Sequence, residues 1–73
     1  MQEFKLGIYR HFKGNLYKAL YVALDSETLE EMVVYKALYG EGKIWVRPLA
    51  MWNQTVEDKE GNKVKRFEFL SEN

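Results

Sequence analysis

The chain contains no cysteine. No disulfide, thiolate metal site or cysteine nucleophile can be built from it. A reducing, cytoplasmic setting is therefore expected. Histidine occurs once, as His11. A lone imidazole cannot form a histidine-rich metal centre, and no carboxylate cluster with ligand spacing accompanies it. Neither a metal nor another cofactor is expected. Charge of one sign is lacking too, because 11 basic and 11 acidic residues cancel. Strong nonspecific attraction to nucleic acid or to anionic membrane is not expected from the whole-molecule field, although a local patch is compatible with it. No apolar run approaches the roughly 18–20 residues of a membrane span. Met1-Gln2-Glu3-Phe4-Lys5 lacks the pattern of a secretory leader. No membrane partner is expected, and no repeat or low-complexity linker divides the chain.

What is present is core material. With 73 residues, the expectation is a single small domain over residues 1–73. A domain of this size buries only about 60% of its unfolded surface. Five Tyr, four Phe and two Trp offset that disadvantage, since each buried aromatic removes roughly 150–250 Å² from water.

Strand patterns dominate. Tyr17–Leu24 and Met32–Tyr39 are apolar and aromatic, and Lys43–Arg47 and Val64–Leu70 alternate. Leu6–Phe12 is a shorter candidate, and Met51–Glu57 a weaker one. Ser26–Tyr39 has a helix-like start, but Val33-Val34-Tyr35 is a poor helix interior and strand is preferred. Gly14-Asn15, Gly40-Glu41-Gly42 and Gly61-Asn62 supply turns. Asp25-Ser26-Glu27-Thr28 reads as a turn or a single helical turn. The sole proline, Pro48, ends the fourth strand. The expected fold class is mostly β, a small five- to six-stranded SH3-like barrel with short turns, whose closure would remove exposed edges.

One hairpin can be reasoned in register. A two-residue Gly40-Glu41 loop pairs Ala37 with Ile44, Lys36 with Trp45 and Tyr35 with Val46. It gathers Val33, Tyr35, Ala37, Ile44 and Val46 on a core face. A three-residue Gly40-Glu41-Gly42 loop fits the turn chemistry equally well, but sets Lys36 beside Ile44 and Val46. Burying an unpaired ammonium is expensive, so the shorter loop is preferred. The outward face then carries Trp45 among Lys36, Lys43 and Arg47. Bases stack on aromatics and phosphates pair with cations, so this is a candidate ligand surface. The plainer alternative is that Arg and Lys stems only cover an exposed Trp.

Catalytic patterns are scarce. Ser26 has no Gly-x-Ser-x-Gly surroundings, so Ser26, Glu27 and Thr28 are assigned turn duty, with Gly14, Gly40 and Pro48 as further structural positions. Glu30 and Glu31 would point to opposite faces of a strand. No phosphate loop is present. Met51-Trp52 reads as core packing. Arg10-His11-Phe12-Lys13 reads either as a small anion-contacting stretch or as side chains flanking a turn.

Taken together, Tyr9-Arg10-His11-Phe12-Lys13-Gly14-Asn15, Tyr17, Ser26-Glu27-Thr28, Val33-Val34-Tyr35, Leu38-Tyr39-Gly40, Trp45-Val46-Arg47-Pro48 and Met51 resemble a bacterial uncharacterised family, domain of unknown function 1653. The resemblance runs from about Gly7 to Phe67. It implies no activity. It nominates Tyr9, Arg10, His11, Lys13, Ser26, Glu27, Thr28, Trp45, Arg47 and Pro48 as positions of interest, some of them for folding. The family usually has His where this chain has Asp25, so a paired-histidine site is not implied here, and Phe is common where Trp52 stands.

Three functions are left in competition. The first is a binding or adaptor module that contacts an acidic or nucleic-acid ligand through Trp45, Arg47, Lys36 and Lys43, with Tyr9, Arg10, His11 and Lys13 as further candidates. The second is an accessory or homodimerising domain with a protein partner. The third is a small enzyme using His11 with Arg10 or Glu27. No enzyme is expected.

Overall fold

The computed structural model describes residues 4–72. The leader reading of Met1 to Lys5 falls largely outside the described residues. The chain runs β1 (Gly7–His11), β2 (Leu16–Leu24), β3 (Glu31–Ala37), β4 (Ile44–Pro48), α1 (Leu49–Trp52), β5 (Thr55–Glu57), β6 (Lys63–Lys65) and β7 (Phe67–Ser71). Two antiparallel sheets result: a five-stranded one in the order β4-β3-β2-β1-β7, and the β5-β6 hairpin. The domain is mostly β, as expected. The pairing among the described residues is an open run of strands rather than a closed ring.

Two expected strands break into smaller pieces. Met51–Glu57 divides because Pro48, at φ −55° and ψ 136°, starts a short helix that carries Leu49 and Trp52 into the core. Val64–Leu70 divides at Arg66. There the backbone N–H donates to the Gln54 carbonyl at 2.9 Å, and the carbonyl accepts from the Phe12 N–H at 2.9 Å. The strand reading of residues 32–39 over the helical one agrees with β3.

The inner face of the sheet holds the core: Tyr9, Ala19, Val33, Tyr35 and Phe67, closed over by Leu49 and Trp52 of α1. Trp52 stacks on Phe67 with centroids 3.7 Å apart and meets Tyr9 and Tyr35 edge-on. Such pairs add about 0.5–1.5 kcal/mol each beyond their buried area. At Gly7 the backbone of β1 passes close against that of β7. Its φ is +142°, and a Cβ there would overlap the Ser71 carbonyl oxygen, so only glycine fits.

The β3–β4 register corrects the preferred hairpin. Lys36 faces Ile44, Tyr35 faces Trp45, Val34 faces Val46 and Val33 faces Arg47. The loop is longer than two residues, with Gly40 and Gly42 both at positive φ and the Gly42 N–H bonded to the Tyr39 carbonyl at 3.1 Å. One step of register turns β4 over. Trp45 and Arg47 therefore join Val33 and Tyr35 on the inner face, while Ile44 and Val46 lie outside with Val34 and Lys36. The penalty invoked against this arrangement does not arise, because that outer face is open and Lys36 is exposed. Among the described residues, no helix is long and apolar enough to cross a membrane.

Candidate functional site

The inner face is plugged by α1 over its centre, and beyond the plug it opens at the ends of β1, β2, β4 and β7. His11, the last residue of β1, is half-buried there. Its ring lies 5.0 Å from Phe67 and 6.3 Å from Tyr17, both edge-on. The Lys13 backbone N–H donates to His11 Nδ1 at 3.2 Å. In the neutral ring this leaves Nε2–H as a donor. Three cations surround the imidazole. Burial first, and then Arg66, Arg47 and Lys13, push the His11 pKa below its ordinary value.

Arg47 reaches in from β4, its guanidinium carbon 5.8 Å from the centre of the Phe67 ring. Arg66 sits in the one-residue bend between β6 and β7 and donates from Nη2 to Gln54 Oε1 at 3.0 Å. The Nε atoms of both arginines are buried without a hydrogen-bond partner among the described residues. Neither arginine has a carboxylate within ion-pair distance among those residues. Tyr17 and Tyr39 extend the aromatic wall, their hydroxyls sharing a 2.7 Å hydrogen bond. Burial, with help from that bond, raises the Tyr17 pKa to about 12, so its hydroxyl stays protonated over ordinary pH. Tyr39 and Trp45, each about half exposed, line a shallow depression beside Gly40 and Gly42.

The nominated residues separate accordingly. Trp45, Arg47, His11 and Lys13 come to this one end. Lys36 lies on the opposite face of the sheet. Lys43 is exposed and pairs with Glu41 at 3.6 Å. Arg10 also points outward, bound to Glu68 at 3.3 Å. Tyr9 is buried, and its hydroxyl donates to the Lys5 carbonyl at 2.6 Å. Ser26, Glu27 and Thr28 belong to a turn in which Asp25 Oδ1 accepts the N–H groups of Glu27 and Thr28. Gly14, at φ +109°, turns β1 into β2, and Pro48 joins β4 to α1.

Arg66, Tyr17 and Tyr39 were not nominated from sequence. Arg66 lies in an alternating run that reads as one strand, which would set it on the face away from Phe67. The hollow on the far side of His11 is different in kind. It mixes Arg10 and Lys65 with Asp58 and Glu68, so it offers no net positive field. No group of three or more metal-ligating side chains occurs among the described residues.

The family model described as "Protein of unknown function (DUF1653)" matches residues 7–69. The chain belongs to the DUF1653 family. A crystal structure of a DUF1653 protein from Bordetella bronchiseptica is similar, with 42% sequence identity and a TM-score of 0.86. The similarity covers 96% of this chain and 91% of that one. A search of curated proteins found no match. The matched DUF1653 segment includes all of the residues at the His11 end of the sheet.

Proposed function

We propose that the domain is a binding module that holds an acidic ligand, in the first place single-stranded nucleic acid, at the His11–Arg47–Arg66 end of its sheet. One observation carries this reading. Among the described residues, two arginines beside a neutral histidine have no carboxylate within ion-pair distance, and their buried Nε–H groups have no hydrogen-bond partner. Guanidinium groups left without a carboxylate partner attract anions, which gain charge-assisted bonds from them. Trp45 and Tyr39 offer half-exposed ring faces beside these cations, the combination that single strands use for stacking and phosphate contact. His11 serves here as a ligand contact, not as a proton carrier in a reaction. The zero net charge argues for a local, short-range contact.

The test is a two-dimensional NMR titration with short single-stranded and duplex oligonucleotides at two salt concentrations. Shifts are expected at His11, Lys13, Trp45, Arg47 and Arg66, fading as salt rises. Arg66→Glu should weaken binding at least tenfold while amide dispersion is retained. No shift at low salt would remove nucleic acid, and inorganic phosphate would then be titrated for the acidic-ligand reading itself.

A further inference from the structure

The five-stranded sheet ends on β4, and among the described residues no strand pairs with the outer edge of β4. The Ala37 N–H donates to the Lys43 carbonyl at 2.9 Å. In an antiparallel ladder, this makes Lys36–Ile44 a pair without mutual bonds, and Tyr35–Trp45 and Val33–Arg47 the bonded pairs. The backbone groups of Trp45 and Arg47 are thus turned to β3. Those of Ile44 and Val46, with the Pro48 carbonyl, face the free edge. The same strand leaves Ile44 60% and Val46 61% exposed on one face and Trp45 50% exposed on the other. An unpaired edge strand with exposed Ile44 and Val46 on one face and Trp45 on the other is a ready template for another strand.

We propose that β4 pairs antiparallel with the β4 of a second copy, about a two-fold axis through Val46, joining the two sheets into one. Such an interface is isologous, with one strand serving both sides. The free backbone groups allow three registers that overlap at least three residues of β4, with axes at Trp45, Val46 or Arg47, and side-chain charge selects among them. An axis at Trp45 sets Lys43 opposite Arg47 of the other copy, and an axis at Arg47 sets that residue against itself. Like charges directly opposite are unfavourable. The Val46 axis avoids both and places Trp45 opposite the other copy's Arg47, an indole against a guanidinium.

The backbone arithmetic also closes. The two Val46 residues exchange N–H···O=C bonds, and each Ile44 N–H donates to the other copy's Pro48 carbonyl. Proline has no N–H to give, and at this position it is asked only to accept. Ile44, Val46 and Pro48 then form a continuous apolar strip across the outer face. On the inner face, Trp45 of each copy is brought beside the basic cluster of the other.

The test combines sedimentation velocity over a range of loading concentrations with amide hydrogen exchange of the whole chain. A concentration-dependent dimer with protected Ile44 and Val46 amides is expected. Val46→Lys sets two ammonium groups at the axis and should raise the dimer dissociation constant at least tenfold with an unchanged far-ultraviolet spectrum. Tyr21→Lys, on the same outer face but on β2, should leave the dimer intact. A monomer at NMR concentrations overturns the proposal. So does a dimer whose Ile44 and Val46 amides exchange freely, or one that Tyr21→Lys dissociates equally well. If Val46→Lys does not fold, the exchange of the two wild-type amides decides.

Discussion

Trp52 stands at the centre of the aromatic core, stacked on Phe67 and edge-on to Phe4, Tyr9 and Tyr35. Truncating such a side chain costs about 3–5 kcal/mol. In a domain this short, that is comparable to the whole stability. Trp52→Ala is therefore expected to unfold the domain, or nearly so, at room temperature. Trp52→Phe is a different matter. The Trp52 Nε1 is buried without a hydrogen-bond partner among the described residues, and phenylalanine removes that unpaired donor while keeping a ring against Phe67. Less than half of the alanine loss is expected. Guanidinium denaturation followed by circular dichroism compares the two, and equal midpoints for them would contradict this view of the core.

At the scale of elements, the turn between β2 and β3 is the one place among the described residues where a residue other than glycine takes a positive φ. Leu29 has φ 63° and is 69% exposed, so its side chain gains little from burial. A left-handed conformation costs an L-residue roughly 1–2 kcal/mol. Asn tolerates it better because its short side chain can bond locally. Leu29→Asn should raise the thermal midpoint by several degrees, corresponding to about 1 kcal/mol in a domain of this size. The Asp25 bonds to Glu27 and Thr28 and the Glu30 N–H bond to Thr28 Oγ1 leave the rest of the turn unchanged. A lowered midpoint would mean that Leu29 packs where the structure shows it exposed.

This turn was legible in sequence as Asp25 to Thr28, because Asp, Ser and Thr advertise local backbone bonding. So were β1 to β4, whose alternation and glycine punctuation are local signals. The core face of β3, with Val33, Tyr35 and Ala37, was legible, but the hairpin register was not, since it depended on which face of β4 meets the core. Lys36 is a misfit only if the face it shares with Ile44 and Val46 is buried, and that face is open to solvent. Trp45 and Arg47 therefore lie on the inner face opposite Tyr35 and Val33, not on the outward face with Lys36. The bend at Arg66 has neither Gly nor Pro to mark it. It is fixed by non-local bonds to Gln54 and Phe12, which no reading of Lys65-Arg66-Phe67 could supply.

For the whole molecule, charge balance hides an asymmetry. The net charge is zero, yet His11 is held below its ordinary pKa of 6.5 by burial and then by Arg66, Arg47 and Lys13. Stability must therefore depend on pH in a definite direction. Above pH 6.5 the imidazole is neutral in both folded and unfolded chains, and the full stability is present. As pH falls through 6.5, the unfolded chain takes up a proton that the folded chain still refuses, and stability is lost until the folded pKa is passed. The chemical-denaturation midpoint should thus decline from pH 7.5 to 5.5, a window above most of the titration of ordinary carboxylates. His11→Asn should flatten that decline. A bound anion works the opposite way, because it favours the imidazolium among its cationic neighbours. Phosphate, if held at this cluster, should reduce the acid loss in the wild type more than in His11→Asn, beyond any general salt stabilisation seen in both. A decline of equal slope in the two proteins, with or without phosphate, would show that His11 is uncoupled from folding and that the cluster around it does not bind the anion.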